Sequence, residues 1–233
     1  METMTKKALE EIRERYQQAA KKVRKRIVVC AGTGCIANGS LEVHKALEKA
    51  IEAAGLQHLV DLSLDVHDES QCVHLTGSGC QGFCAQGPLV NLLPDETMYV
   101  KVKPEDATEI IERSILQDEV VERLLYVNPV NGERKRGQLD IPFYKLQNRL
   151  VLGECGHVDP ENIFEYISHG GYFAAEQAFN ELSDQTICAT ILESGLRGRG
   201  GGGFPTGKKW ELTRIVKGDK KYVICNGDEG DPG

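Results

Sequence analysis

The sequence lacks any long apolar run and any excess of basic residues. No apolar stretch approaches the roughly 20 residues that a membrane-spanning helix needs, and the charged N-terminus lacks the apolar core of a secretory signal. The 233 residues carry 28 Lys and Arg against 35 Asp and Glu, a formal net charge of −7, which argues against nucleic acid as a partner. We therefore expect a cytoplasmic protein with no membrane span and no nucleic-acid partner.

The sequence also lacks a C-x-x-C motif, although it contains eight cysteines. Structural disulfides are rare in the cytoplasm, and a redox-active disulfide normally uses the missing motif. Four of the cysteines form two close pairs, a C-x4-C pair (Cys30 and Cys35) and a C-x3-C pair (Cys80 and Cys84). Inert thiols have no reason to pair in this way, so the spacing favours metal ligation.

Two pairs of thiolates suit a [2Fe-2S] cluster, because its two tetrahedral irons together take four thiolates. Four neighbouring glycines would let the two loops wrap such a cluster, namely Gly32, Gly34, Gly79 and Gly82. A four-cysteine zinc site is the alternative, although structural zinc usually has C-x2–4-C knuckles in both halves. The six histidines show no ligand spacing, and we expect the other four cysteines to be packing residues: Cys72, Cys155, Cys188 and Cys225.

The pattern of elements is that of an α/β protein with a thioredoxin-like order, β-α-β followed by β-β-α, closing near residue 117. It includes a strand over 58–67 and a helix after Ser40, which we expect to be its N-cap. Residues 141–152 look extended, and a further helix is expected at Asp159-Pro160-Glu161. Another short helix is expected over 184–193, ended by Gly195. The domains expected are an N-terminal helix (1–25), a cysteine-bearing domain (26–117), a linker (118–150) and a second domain (151–233).

The cysteine motifs CAGTGC and GCQGFCAQGPLV resemble those of the thioredoxin-like [2Fe-2S] ferredoxins. These proteins occur alone and as a subunit or domain of NADH dehydrogenases and NAD-linked hydrogenases. The resemblance covers residues 26–117. It implies that the four paired cysteines are the cluster ligands.

A glycine-rich stretch, GLRGRGGGGFPTGKKW, is the strongest loop signal in the chain. Successive backbone N–H groups in such a loop can hold a phosphate, and basic residues surround it. The stretch is not a Walker A loop, because Lys209 stands where that motif has Ser or Thr. A flexible linker is the alternative, although Phe204 and Trp210 favour a planar cofactor.

The chain ends on an acidic turn, CNGDEGDPG, which could bind hydroxyl groups or a flavin edge or be a solvated turn. Together, the glycine-rich stretch and this turn resemble the flavoprotein subunit of respiratory complex I and its hydrogenase and formate dehydrogenase relatives. The resemblance implies bound FMN and NAD(H). The expected fold class is therefore a thioredoxin-like [2Fe-2S] domain, a linker and the start of a complex I flavoprotein-type FMN-binding α/β domain.

The same resemblance assigns roles to particular residues and names no catalytic one. Phe204 would lie near the nicotinamide and Lys209 near the FMN phosphate, while Asn226, Asp228 and Glu229 would contact the flavin or the nucleotide. The residues that would line the pocket are Gly198, Arg199, Gly200, Gly201, Gly202, Gly203, Phe204, Pro205, Thr206 and Gly207.

The resemblance implies an NADH-oxidising or NAD-reducing subunit of a soluble hydrogenase or formate dehydrogenase, with other subunits and ferredoxin as partners. Family members continue with further flavin contacts and a [4Fe-4S] motif, so we expect this chain to be a fragment that is inactive alone. The rival hypothesis is a non-catalytic [2Fe-2S] electron carrier that docks to a separate flavoprotein.

Overall fold

The fold is taken from a computed structural model that describes residues 5–59, 72–149, 152–222 and 224. The chain divides into a larger compact unit, residues 10–171, and a smaller one made of residues 1–9 and 172–233. In these described ranges no helix is long and apolar enough to cross a membrane. The first helix, α1 (Lys6–Ala20), includes residues of both units.

The larger unit is built on one mixed sheet of five strands in the order β2-β3-β1-β4-β5. Strand β1 pairs in parallel with β3 and antiparallel with β4, and Cys30 at the end of β1 lies opposite Ser78 at the end of β3. The loops that follow these two strands therefore start at the same edge of the sheet. The strands are β1 (Lys25–Cys30), β2 (Gln57–Leu59), β3 (Cys72–Ser78), β4 (Val90–Leu93) and β5 (Thr97–Tyr99).

Helices pack against this sheet through residues at helical spacing. In α3 (Ser40–Ala53), the buried side chains Val43, Leu47 and Ile51 recur every four residues and join the main apolar core, as one face of a helix requires. A continuous helical segment, α4, runs from a 3-10 turn (Pro104–Asp106) through an α-helical turn (Ala107–Glu109) into a π-helical stretch (Ile110–Leu116).

The thioredoxin-like order predicted for this region is confirmed, with two local differences. Strand β3 was not predicted, and the predicted strand over 58–67 lies mostly outside the described residues. The predicted N-cap Ser40 is the first residue of α3 instead. Gly39 is the cap residue, with φ of +91°, a left-handed conformation that glycine adopts without steric cost.

Residues 118–149 belong to the same compact unit. They form β6 (Tyr126–Val127), β7 (Arg134–Lys135) and α5 (Pro142–Lys145). The prediction of extended chain at 141–152 is therefore wrong at α5, where Pro142 occupies the first helical position that proline favours. Their buried side chains are Val121, Leu124, Leu125, Ile141 and Tyr144. The division into compact units falls after residue 171, and the predicted domain limits at 117 and 150 stay a prediction.

A short helix, α6 (Ile163–Ser168), begins at Asn162, whose side-chain oxygen accepts hydrogen bonds from two backbone N–H groups. The prediction that this helix starts at 159–161 is therefore early by one turn. Glu165 of α6 is buried and pairs with both terminal nitrogens of Arg26 on β1. It also accepts a hydrogen bond of 3.0 Å from the backbone N–H of Asp159. The pairing attaches α6 to the sheet.

The smaller unit contains α7 (Phe173–Asn180), α8 (Asp184–Glu193) and α9 (Thr206–Arg214). Helix α8 starts from Ser183, whose hydroxyl oxygen accepts from the backbone N–H of Thr186 at 3.1 Å, and it ends before Gly195 at φ of +71°. The predicted helix over 184–193 is thus confirmed. Helix α9 was not predicted, because its first turn reads as part of the glycine-rich stretch.

A buried tyrosine offers a test of how the larger unit is held together. The Tyr99 hydroxyl lies 2.7 Å from Ser114 Oγ and accepts a 2.9 Å hydrogen bond from the backbone N–H of Val121. We expect Tyr99→Phe to lower the free energy of unfolding by about 1–3 kcal/mol, since it leaves a buried donor without an acceptor. Chemical denaturation measures the change. The control Tyr222→Phe, at a side chain that is 79% exposed, should change the free energy of unfolding by less than about 0.5 kcal/mol. Equal losses of stability in the two variants would contradict this account.

Candidate functional sites

The structure brings the four predicted ligand cysteines to one edge of the sheet. Cys30 ends β1, and Cys35 lies in the short helix α2 (Thr33–Ala37) that follows it. Cys80 comes just after β3, and Cys84 opens a 3-10 turn (Cys84–Gln86). Cys30 and Cys35 are buried, Cys80 is half-buried and Cys84 is exposed. One pair is therefore inside the unit and the other borders solvent.

Within each pair, the sulfurs are close to one another. The sulfurs of Cys80 and Cys84 are 3.8 Å apart. A hydrogen bond with the Cys30 sulfur and, after it, burial raise the pKa of the Cys35 thiol. Burial likewise raises the pKa of Cys80 to about 11, against the lowering effect of the Gly82 N–H group, which donates to the Cys80 sulfur at 3.4 Å. The Cys35 and Cys80 thiols are thus held neutral without metal, and metal binding would release their protons.

Glycines allow the two cysteine loops to approach this closely. A Cβ atom on Gly32 would lie 2.7 Å from Cys80 Cβ, and one on Gly34 would lie 3.0 Å from Cys84 Cβ. A Cβ atom on Gly87 would lie 2.6 Å from the Cys35 sulfur. Contacts below 3.0 Å force something to move, so any larger residue at Gly32 or Gly87 would push the ligands apart.

The donor set fits a two-iron cluster. A [2Fe-2S] cluster takes two thiolates at each iron, and the four cysteines form two close pairs whose loops meet across Gly32 and Gly34. In the described part of the chain, no three or more His, Cys, Asp or Glu side chains are grouped closely enough to hold a metal ion, so the fit rests on the pairing of the four cysteines.

A buried polar chain beside the ligands was not predicted from the sequence. Gln81, between Cys80 and Gly82, is fully buried. Its side chain donates to Ser78 Oγ at 3.3 Å and accepts from Asn91 Nδ2 of β4 at 3.0 Å. These bonds fix the C-x3-C loop to the sheet. No sequence signal singles out Gln81, since glutamine at a loop position is usually exposed.

The three other described cysteines do not belong to the two close pairs. Cys72 starts β3, at the opposite end of that strand from Cys80, and its thiol donates to Gln57 Oε1 at 3.1 Å. Cys188 is a buried residue of α8. The Cys155 sulfur lies 3.1 Å from the position of a Cβ atom on Gly79, so Cys155 packs against the residue that precedes Cys80.

The glycine-rich stretch forms a closed loop in the smaller unit. The N–H of Gly198 donates to the carbonyl of Phe204 at 2.9 Å, and the N–H of Thr206 donates to the carbonyl of Leu196 at 2.9 Å. The Arg197 guanidinium donates to the carbonyl of Gly203 at 3.2 Å. The ends of the loop are therefore tied together, which a flexible linker would not show.

Four glycines at the tip of this loop face open space. A Cβ atom on Gly200, Gly201, Gly202 or Gly203 would have no neighbour within 4 Å. Gly200 and Gly202 do not have left-handed φ values, and no described residue crowds them, so the loop tip leaves room for a ligand to approach the backbone. Phe204 and Trp210 beside the loop are about half exposed.

The last predicted pocket glycine, Gly207, has a different neighbourhood. It is buried in the first turn of α9, where a Cβ atom would lie 2.3 Å from the backbone nitrogen of Leu192 in α8. Its small size therefore allows α8 and α9 to pack closely. The loop leads directly into the N-terminus of α9, where backbone N–H groups and the helix dipole favour an anion, and the exposed Lys208 and Lys209 add positive charge.

The remaining predicted contacts lie beyond the described part of the chain. Asn226, Asp228 and Glu229 fall in the segment 225–233, outside the described residues. Their assignment to a flavin or nucleotide stays a prediction. Cys225 lies in the same segment.

Two family models match the chain. One, described as thioredoxin-like [2Fe-2S] ferredoxin, matches residues 3–114. The other, described as the Nuo51 FMN-binding domain, matches residues 191–233. The first match includes all four paired cysteines, and the second includes the whole glycine-rich stretch and the acidic turn. The resemblance and the fold class drawn from the sequence are both confirmed.

Curated relatives carry related names. The HndC component of a NADP-reducing hydrogenase from Solidesulfovibrio fructosivorans is 44% identical over 38% of this chain and 18% of its own length. A component of the NADH-quinone oxidoreductase of Rhizobium meliloti is 48% identical over 36% of this chain and 20% of its own. The alpha component of the NAD-reducing hydrogenase HoxS from Cupriavidus necator is 27% identical over 89% and 31%. The chain thus spans less than a third of each relative.

The close approach at Gly32 gives a direct test of the cysteine site. We expect Gly32→Ala to lose most of the bound iron, because the new methyl group would meet Cys80 at about 2.7 Å. Gly77→Ala is the matched control in neighbouring β3, where the new Cβ atom would meet Ala31 Cβ at an ordinary 3.7 Å. Iron analysis and visible absorbance after anaerobic purification measure the difference. Full cluster content in Gly32→Ala would refute the proposed arrangement.

Proposed function

We propose that this chain is part of an NADH-oxidising or NAD-reducing flavin and iron-sulfur subunit of a multi-subunit oxidoreductase. Residues 3–114 match the thioredoxin-like [2Fe-2S] ferredoxin model and residues 191–233 match the Nuo51 FMN-binding model, which supports the proposal. The observation that carries the proposal is the presence, in one chain, of paired cysteines at a sheet edge and an open glycine loop before a helix.

The cysteine site would hold the cluster through Cys30, Cys35, Cys80 and Cys84. A [2Fe-2S] cluster supplies one-electron transfer, and the protein adjusts it through hydrogen bonds to sulfur and through burial. The N–H group of Gly82, which donates to the Cys80 sulfur at 3.4 Å, is one such bond. The buried pair excludes water from one side of the site, while the exposed Cys84 side leaves a short path for an electron to a partner.

The glycine loop would hold FMN and position NAD(H) against it. FMN, when bound, supplies the exchange between a hydride and single electrons. The open tip at Gly200 to Gly203 would let the backbone approach a planar ring or a phosphate, and Phe204 would lie beside the nicotinamide. The first turn of α9 and Lys209 would neutralise the FMN phosphate. Asn226, Asp228 and Glu229 would bind the flavin or the nucleotide.

The partners we propose are other subunits of a hydrogenase or formate dehydrogenase complex, with ferredoxin as a further electron partner. The names of the relatives include hydrogenase and NADH-quinone oxidoreductase subunits, which supports an oxidoreductase complex. We place the complex in the cytoplasm, where thiols stay reduced, since no disulfide joins any of the seven described cysteines.

The rival function is an electron carrier that binds the [2Fe-2S] cluster but no flavin. The two functions differ in one respect, the ligand of the glycine loop. Anaerobic addition of NADH to the native complex should bleach bound flavin and produce the electron paramagnetic resonance signal of a reduced [2Fe-2S] cluster. A native complex that contains the cluster but no flavin in this subunit would support the rival.

A substitution at the loop tip tests the flavin site itself. We expect Gly202→Leu to abolish flavin binding in the native complex, because the new side chain would fill the space through which the flavin approaches the backbone. The protein should still fold, because no protein atom lies within 4 Å of the new Cβ. Gly218→Leu, outside the loop and with its nearest neighbour at 3.8 Å, is the matched control and should retain flavin. Extracted flavin per complex is the measurement. Normal flavin content in Gly202→Leu would exclude this loop as the site.

A further inference from the structure

The C-x3-C loop carries an aromatic side chain that enters a cluster of rings. Phe83 lies between the two ligands Cys80 and Cys84, and its ring contacts those of Tyr126, Phe143 and Tyr144. We call these four residues the aromatic collar. Apart from Phe83, its members come from residues 126–144, beyond the segment 3–114 that matches the ferredoxin family. The ferredoxin motif alone therefore does not supply the collar.

Stacking geometry makes Phe143 the closest partner of Phe83. The two ring centroids are 4.5 Å apart with an interplanar angle of 10°. Tyr144 meets the same ring edge-on at 5.5 Å and 78°, and it meets Phe143 at 5.1 Å and 80°. Both arrangements are favourable for aromatic pairs. Phe83 thus packs against the nearly parallel ring of Phe143 and the nearly perpendicular ring of Tyr144.

The collar also reaches the buried ligand pair. Tyr144 and Ile141 belong to the same buried apolar cluster as Cys30 and Cys35. The Arg149 guanidinium lies 5.7 Å from the centre of the Tyr144 ring, a cation–π distance, and donates to the carbonyl of Leu152 at 2.7 Å. The segment around α5 therefore packs with Cys30 and Cys35 directly and with the loop that carries Cys80 and Cys84 through Phe83.

We propose that Phe143 is a positioning residue of the iron-sulfur site, and that residues 138–145 form a functional part of that site. The Phe143 ring holds Phe83 in place. Through Phe83, it keeps the Cys80–Cys84 loop closed over the two sulfurs that border solvent, and it limits the access of water to them. This inference rests on the four-cysteine ligation proposed above. Because a reduced cluster carries one more negative charge, added water stabilises the reduced state and raises the reduction potential.

The test compares substitutions within one short segment of the anaerobically purified chain. Phe143→Ala should shift the reduction potential of the cluster to a more positive value. It should also speed cluster loss to an iron chelator by roughly 2- to 10-fold, as the loss of one aromatic pair implies. Leu146→Ala, at a neighbouring side chain that is 87% exposed, should leave both quantities unchanged. Phe143→Tyr keeps the stacked ring and should restore both.

The outcomes separate this inference from the ligation on which it rests. A wild-type chain without iron would defeat the ligation itself. A cluster-bearing wild type, together with a Phe143→Ala variant that matches Leu146→Ala in potential and release rate, would overturn the role of Phe143 alone. If Phe143→Ala fails to fold, Phe143→Leu keeps the apolar volume without the ring. It must then show the same shift, and a Phe143→Leu protein that behaves as wild type would overturn the inference.

Discussion

The close contact between two glycine-bearing loops is the constraint on which the rest of the structure depends. The parallel pairing of β1 and β3 brings Cys30 opposite Ser78, so both cysteine loops leave the sheet at one edge. Gly32 and Gly34 then face Cys80 and Cys84 with no room for a side chain. Two thiolate pairs this close suit a pair of bridged irons better than a disulfide framework, and none of the four cysteines forms a disulfide.

Residues far along the chain complete this site. Asn91 on β4 fixes Gln81, Phe143 stacks on Phe83, and Cys155 packs against Gly79. Glu165 holds α6 to β1 through Arg26. The ferredoxin motif therefore lies inside a larger packed unit, residues 10–171, and the chain after residue 117 contributes to the surroundings of the metal site as well as joining it to the next segment.

The sequence predicted the parts of this arrangement that depend on local spacing. Residues close together in the sequence are enough to predict the cysteine pairs, the apolar repeat of α3 and the end of α8 before Gly195. Contacts across the sheet could not be found in this way: nothing near Gln81 or Phe143 in the sequence indicates their partners. In the glycine-rich stretch, the sequence does not distinguish glycines of the exposed loop from a glycine needed for helix packing. Gly202 faces open space, whereas Gly207 packs against Leu192. Only the packed structure separates them.

The central claim is that the paired cysteines bind a [2Fe-2S] cluster, and its most direct measurement is the count of metal and inorganic sulfide in the anaerobically purified chain. The account predicts about two irons and two acid-labile sulfides for each chain, with both lost together when Cys30 or Cys80 is replaced by serine. Stoichiometric zinc without sulfide, or iron that persists after both replacements, would contradict it.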